Sequence, residues 1–360
     1  MNSSPDINTF PSTPMPAPTR SSTVIMGRQD FFSVLLRLIG VELYKLRRRP
    51  MSKILTIIAL ALILLVFLAT SAGTLFISGT TDQTYLPPQC SSLHDVQGLP
   101  TDTPCLNHAP TQQDLAQAAQ KRHSQLELFS SPLRPPLSLV ISVQFMEIVG
   151  LILLIVIAGT IAGGEYSVGT VRLMYTRGPT RMQFLLAKMG AVLLYTVIGF
   201  LVIVALGVAT AAVLNLFSGI PIQGTFLQNG GLTHIIMYIL GGIVSLFVYV
   251  LLAIFLATLG RATVAGVAGA IVWYVLEGLL TTIFGVLSTF VQGPFSDLLK
   301  SLPDYLIGNN VSALLQNQAT YLLSGSGSTS DLHAWLVLLA YIVLFTGLSL
   351  WLTTRRDITN

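Results

Sequence analysis

The feature that most constrains the fold of this chain is a series of long apolar stretches. A helix needs about 20 mostly apolar residues to cross the hydrocarbon core of a bilayer. Six stretches satisfy this requirement, at residues 54–75, 137–162, 189–217, 232–259, 264–290 and 332–352. Only 9% of the residues are charged, whereas a soluble domain averages about 25%. The sequence therefore predicts an all-α, polytopic membrane protein with six transmembrane helices, and excludes a soluble domain or a disordered chain.

The lysines and arginines are distributed unevenly between the two sides that these spans define. If the N-terminus is inside, 15 of the 19 basic residues lie inside. The four on the other side are Lys121, Arg122, Arg134 and Lys300. Cytoplasmic segments of membrane proteins are enriched in lysine and arginine. We therefore expect a multi-pass protein of the plasma (cytoplasmic) membrane with both termini in the cytoplasm.

The region before the first span divides into two segments. Residues 1–28 are rich in Ser, Thr and Pro, which predicts a disordered cytoplasmic tail, with a docking peptide as the alternative. Residues 29–50 predict an amphipathic helix in the membrane interface, with its basic end near anionic lipid. The alternative is a solvated helix, which the many leucines disfavour. Residues 51–360 then form the six-span domain, including an external loop at 76–136.

The external connections carry the only cysteines of the chain. Cys90 and Cys105 lie in the long first loop, on the oxidising side, and this predicts a disulfide between them, with two free thiols as the alternative. Residues 111–129 of the same loop favour an external helix. The histidines there lack a ligand spacing, so we expect no metal site. The last connection, residues 291–331, contains apolar pieces that predict short helices at the outer surface.

Sequence motifs of ATP hydrolysis and hydrolytic catalysis are absent. The chain contains no GxxxxGK[ST] phosphate loop, no HExxH and no GxSxG. We therefore expect no catalytic residues and no cofactor in this chain. If ATP powers the protein, a separate subunit must bind and hydrolyse it.

The connection between the second and third spans is the most informative segment. Its residues suggest a short basic helix that begins after a turn, ends at a proline and is followed by the start of the next span. The alternative is a loop that merely obeys the positive-inside rule. The residues concerned are Glu165, Gly169, Thr170, Arg172, Pro179, Arg181 and Lys188.

These residues resemble a motif of the ABC-2 type permease subunits of ABC transporters. That motif has a glutamate, then Gly-Thr, then Pro-x-Arg and a lysine at the next span, which here are Glu165, Gly169–Thr170, Pro179 to Arg181, and Lys188. Glu42 and Lys45 are similar to the Glu-x-x-Lys start of such permeases. The order of an interfacial helix and six spans is also similar.

The resemblance implies a transmembrane subunit that pairs with a second permease chain, identical or homologous, and with two ABC ATPase subunits. ATP and Mg would be bound by those partners, and nucleic acid would have no role. The segment Val171–Thr176 would be the coupling helix, seated in a groove of the ATPase. Members of this family are mostly exporters, which makes export the expected direction.

Two glutamates interrupt the apolar spans, Glu147 in the second and Glu277 in the fifth. Such residues are costly in a bilayer and usually face the bundle or a cavity. One interpretation is that these glutamates are polar residues on a substrate path or proton-binding groups, which would suit a proton-coupled secondary transporter. The other is a hydrogen-bonded carboxyl that joins helices. A membrane-embedded enzyme or a ligand sensor is a third class, without a supporting motif.

Overall fold

The described part of the chain is helical throughout. The structure is a computed structural model that describes residues 31–89, 105–106, 108–167, 180–218, 231–324 and 331–355. Within these ranges there is no β-strand, and the only β-type pairing is an isolated bridge between Gln89 and Leu106. The helices are α1 (Phe31–Arg48), α2 (Pro50–Ser78), α3 (Gln112–Ser130), α4 (Leu137–Phe145), α5 (Leu151–Ser167), α6 (Arg181–Ser218), α7 (Gly231–Gly260), α8 (Thr263–Phe290), α9 (Pro294–Ser301), α10 (Ile307–Ser324) and α11 (Leu332–Arg355).

Six helices of the described residues are long and apolar enough to cross a membrane. They are α2, the continuous helix formed by α4 and α5, α6, α7, α8 and α11. Each contains one of the predicted spans, so the prediction of an all-α fold with six spans is confirmed. The helix formed by α4 and α5 is continuous because a π-helical turn, Met146–Gly150, joins its two parts.

Helix α1 packs against the first turns of α6. A side chain at Gly190 would lie only 2.8 Å from the end of Ile39, so the glycine allows this close approach. Pro50 then begins α2, at a position where a missing backbone N–H costs nothing. We call the side of the bundle that carries α1 and its lysines and arginines the basic end, and the side that carries α3 and α10 the opposite end.

The tightest packing lies where α5, α7 and α8 cross. A Cβ atom on Gly266 would lie 2.8 Å from the carbonyl oxygen of Ala253 and 3.1 Å from Cα of Gly159. Ala270, one turn further along α8, is fully buried. The small residues Gly266 and Ala270 therefore serve packing within the bundle, as glycine and alanine do at many transmembrane helix interfaces.

The helices predicted outside the spans are present at the opposite end. The predicted external helix is α3, which begins with a capping box between Thr111 and Asp114. The predicted surface helices are α9 and α10, and α10 is longer than its apolar sequence suggested, with 18 residues. The predicted tail at 1–28 lies outside the described residues.

Candidate functional site

Four charged side chains form a cluster at the basic end of the bundle. Lys188 Nζ lies 2.8 Å from Glu165 Oε1 and 3.7 Å from Glu42 Oε2, and Lys45 Nζ lies 2.5 Å from Glu42 Oε1. We call Glu42, Lys45, Glu165 and Lys188 the ion cluster. With two lysines and two glutamates it is formally neutral.

Three members of the ion cluster are buried, its central residue Lys188 among them, whereas the side chain of Lys45 is 35% exposed. Only 3% of Lys188, 4% of Glu42 and 8% of Glu165 is exposed. The ammonium of Lys188 also donates to the carbonyl oxygen of Ile161, at 3.3 Å, and lies 4.7 Å from the centre of the Phe184 ring. Removal of one partner from a buried ion pair leaves a charge that neither water nor protein compensates, which costs far more than loss of a surface pair.

Three helices supply the cluster, and local sequence explains how each presents its residue. Glu42 and Lys45 are three positions apart on α1, the spacing that places two side chains on one face of a helix. Glu165 lies in the last turns of α5. Helix α6 begins with a reciprocal cap, in which the Gln183 backbone N–H donates to Thr180 Oγ1 and the Thr180 N–H donates to Gln183 Oε1. Lys188 lies two turns beyond this cap.

The structure brings together some of the residues of the predicted coupling motif. Glu165 and Lys188 are in direct contact, although 22 residues separate them in the sequence, and Arg181 is the first residue of α6. The other four residues of the motif, Gly169, Thr170, Arg172 and Pro179, lie outside the described residues, and so does the predicted coupling helix, Val171–Thr176. Glu42 was not among the predicted site residues, yet it is the second carboxylate on Lys188.

Glu277, in the middle of α8, has hydrogen-bond partners for both carboxylate oxygens. The Tyr249 hydroxyl donates to Oε2 at 3.0 Å, and the backbone N–H of Gly308 donates to Oε1 at 2.9 Å. Gly308 lies in the first turn of α10, where backbone N–H groups lack helical partners and favour a negative charge. Glu277 therefore joins α8 to α7 and α10, which agrees with the hydrogen-bonded interpretation of this residue.

Glu147 has a different environment. It lies in the π-helical turn that joins α4 to α5, where the Leu151 N–H bonds to the carbonyl of Met146. Ser245 of α7 donates to Glu147 Oε2 at 2.5 Å. Oε1 is buried and has no hydrogen-bond partner in the described part of the chain. Single π-helical turns within α-helices frequently occur at functional sites, so Glu147 is the stronger candidate of the two for a functional residue.

The other predicted site residues are the two cysteines. Cys105 is disulfide-bonded. Cys90 lies outside the described residues, so its pairing with Cys105 stays a prediction. The backbone next to Cys105 supports it, because Leu106 is bridged to Gln89 and donates to the carbonyl of Pro88 at 2.9 Å. In the ranges that the structure describes, no group of three or more potential metal ligands is present.

These features define the class of the protein as a polytopic α-helical membrane protein with a buried ion cluster at one end and two carboxyl groups inside the bundle. The chain belongs to a family described as "Protein of unknown function (DUF2705)", whose profile matches residues 127–359, more than half of the sequence. The match begins within α3 and includes five of the six spans, but neither α1 nor α2. A search of curated proteins found no match.

Proposed function

We propose that this chain is the transmembrane subunit of an ATP-driven ABC transporter of the ABC-2 permease type, and that it is an exporter. Two ABC ATPase subunits would bind ATP and Mg, and a second permease chain would complete the translocation path. The basic end would face the cytoplasm, because most lysines and arginines lie there.

The observation that carries the proposal is the contact of Lys188 with Glu165 and Glu42. Glu165 precedes and Lys188 follows the connection at 168–179, so the ion pair ties together the two helices that hold this connection. Glu42 attaches the same point to α1. A force applied to the connection by an ATPase would therefore act on α1, α5 and α6 as one body, which is the kind of rigid-body motion by which transport proteins switch between states.

Co-purification from the native membrane tests the partner. We expect an ATPase subunit to accompany the wild-type chain and to be lost when Arg172 and Arg181 are both changed to Glu. The double variant Lys121→Glu, Lys300→Glu is the matched control, since it also reverses two positive charges but lies at the opposite end of the bundle. A stable wild-type chain that retains no ATPase subunit, or an ATPase that is equally lost with the control variant, would contradict the proposal.

A second variant separates binding of the ATPase from coupling. Lys188→Met removes the central cation but alters no residue of the connection at 168–179, so we expect the ATPase to remain bound while substrate-stimulated ATP hydrolysis falls by about tenfold or more. Lys121→Met, at the opposite end, is the control and should leave stimulation unchanged. Normal stimulation in a folded Lys188→Met complex would exclude a coupling role for the ion cluster.

The unpaired oxygen of Glu147 supports a second candidate function, proton-coupled secondary transport. A carboxyl group with one free buried oxygen can gain and lose a proton with little rearrangement of its neighbours. In liposomes that contain this chain alone, an imposed pH gradient would then drive proton uptake that Glu147→Gln abolishes and Glu277→Gln retains. If the wild-type chain takes up no protons, this alternative is excluded, and the ATP-driven function remains.

A further inference from the structure

An apolar cavity of about 680 Å³ lies between α1, α2, α6 and the π-helical turn with the start of α5. This volume is in the range of roughly 300–1,000 Å³ that is typical of sites for small molecules. Residues that line it include Leu43 of α1, Leu60 of α2, Met146 of the π-helical turn and Val202 of α6. The cavity is separate from the ion cluster and has no role in the function proposed above.

The walls of the cavity offer almost no polar group to a ligand, because their hydroxyl groups bond to one another or to the backbone. Thr56 Oγ1 lies 2.5 Å from the Tyr195 hydroxyl and donates to the carbonyl of Ser52 at 2.7 Å. Ser52 Oγ donates to the carbonyl oxygens of Leu46 and Arg49. An occupant that leaves no polar group unpaired in such a space must itself be apolar, as the acyl chain of a lipid is.

The rim of the cavity at the basic end is positively charged. Arg47 and Lys53 both line it and are solvent-exposed. Among the described residues, no carboxylate lies within salt-bridge distance of either side chain, whereas their neighbour Lys45 is paired with Glu42. The rim therefore presents two cations that are available to an anionic group outside the apolar space.

The cavity also has the position and the opening that a membrane lipid requires. The wall of the cavity on α2 extends from Lys53 to Leu60, which is about 10 Å at 1.5 Å per residue. The hydrocarbon core of a bilayer is about 30 Å thick. The cavity therefore lies in the half of this core that is nearest the basic end. Ile57, Ile198 and Val202 line the cavity and are also exposed on the outer face of the bundle. The cavity thus opens sideways, toward the hydrocarbon of the membrane.

We propose that this cavity is a binding site for an anionic phospholipid of the leaflet at the basic end, with one acyl chain between α1, α2 and α6 and the phosphate group at Arg47 and Lys53. The apolar walls select a hydrocarbon chain, and the two cations select a negative headgroup. A zwitterionic lipid has the same acyl chains but lacks the net charge, so it binds more weakly.

The first test measures lipid retention by the purified full-length chain with native mass spectrometry. Palmitoyl-oleoyl phosphatidylglycerol is the anionic probe, and palmitoyl-oleoyl phosphatidylcholine is the zwitterionic probe with the same chains. We expect the wild-type chain to bind phosphatidylglycerol at least about tenfold more tightly than phosphatidylcholine. We expect the double variant Arg47→Gln, Lys53→Gln to bind the two lipids equally. Lys121→Gln with Lys300→Gln, at the opposite end, is the control and should keep the preference.

The second test fills the cavity. A Cβ atom on Gly199 or Gly40, which line the cavity from α6 and α1, would meet no atom within 4 Å, so the backbone leaves room for a leucine side chain to extend from either position. We expect Gly199→Leu, and independently Gly40→Leu, to remove bound phosphatidylglycerol. Gly285→Leu is the matched control, because Gly285 is also a helical glycine with open space around it but does not line the cavity.

Three results would overturn the proposal. One is equal binding of the two lipids by the wild-type chain, which needs no variant. Another is unchanged retention of phosphatidylglycerol by folded Gly199→Leu and Gly40→Leu. The third is a wild-type dimer in light scattering that these two variants convert to monomers, because a second copy of the chain would then cover the cavity instead of a lipid.

Discussion

The bundle has two sides that differ in how closely their helices pack. The closed side comprises α5, α7, α8 and α10, and α5, α7 and α8 approach so closely that no side chain fits at Gly266. On the open side, α1, α2 and α6 enclose a cavity of about 680 Å³, and a side chain at Gly199 would contact nothing. The same residue type thus permits contact between helices in one place and leaves space for a ligand in the other.

The two glutamates inside the spans differ in how completely their carboxylate oxygens are hydrogen-bonded. Glu277 lies on the closed side, where a tyrosine hydroxyl and the first turn of α10 bond to its two oxygens. Glu147 lies in the π-helical turn and does not line the cavity; its Oε2 accepts from Ser245 of α7, and its Oε1 has no partner within the described ranges. The comparison indicates that the fully hydrogen-bonded Glu277 maintains the fold, whereas Glu147 keeps one carboxylate oxygen that no contact of the fold uses.

The largest expected effect tests the packing of the closed side. Gly266→Leu forces atoms onto the carbonyl of Ala253 and the backbone of Gly159, which cannot move as a flexible side chain would. We expect it to lower the free energy of unfolding by about 3 kcal/mol, the upper part of the usual range for overpacking. Thermal unfolding in detergent, followed by size-exclusion chromatography, measures the loss.

Gly285→Leu, on the same helix but with open space around it, is the control for this experiment. We expect its unfolding temperature to stay close to that of the wild-type protein. Equal losses in the two variants would mean that the helix crossing at Gly266 is not tightly packed.

The next effect concerns Glu277. Glu277→Ala leaves the Tyr249 hydroxyl and the Gly308 N–H without an acceptor in a buried position, so we expect a loss of about 2 kcal/mol in the free energy of unfolding. Glu277→Gln keeps an acceptor at the same place and should recover more than half of this loss. The same thermal-unfolding measurement applies, and an alanine variant as stable as wild type would remove the distinction between the two glutamates.

A smaller effect is expected at Glu147. Glu147→Gln keeps an acceptor for Ser245 and replaces an ionisable group that has one unpaired oxygen. We therefore expect thermal stability within about 1 kcal/mol of wild type, together with loss of the proton uptake in liposomes that the second candidate function requires. A large loss of stability would place Glu147 with Glu277 among the groups that maintain the fold.

Much of the fold could be predicted from hydropathy and local signals alone. The six spans were predictable because each contains a stretch of apolar residues that no soluble helix requires. The helix at α3 followed from its helix-forming residues, and Thr180 was predictable as a cap because Ser, Thr, Asp and Asn favour that position. These signals act between residues that are near in sequence, so the sequence reports them directly.

The site was harder to predict because its contacts join distant parts of the chain. Glu147 and Glu277 look alike in the sequence, and only Ser245, Tyr249 and Gly308, on other helices, distinguish them. The contact between Lys188 and Glu42 likewise depends on the packing of α1 against α6. The π-helical turn at Met146–Gly150 had no sequence signal, because its residues are ordinary for a transmembrane helix.

The smallest expected effect is a pH dependence at the start of α3, the helix that packs on α2 at the opposite end of the open side. The side-chain hydroxyl and backbone N–H of Thr111 both donate to Asp114, and they hold the pKa of this carboxyl below its ordinary value of 3.8. Because the pKa is lower in the folded helix, the carboxylate stabilises the cap above pH 3.8, and this contribution is lost as the pH falls through the lowered pKa.

Hydrogen exchange, corrected for the intrinsic pH dependence, should show faster opening of the first turn of α3 at pH 3 than at pH 5. The first turn of α6, which contains no acidic residue and is capped by Thr180 and Gln183, serves as the internal reference, and Asp114→Asn should abolish the difference. An unchanged rate in the wild-type protein would show that the cap does not depend on the charge of Asp114.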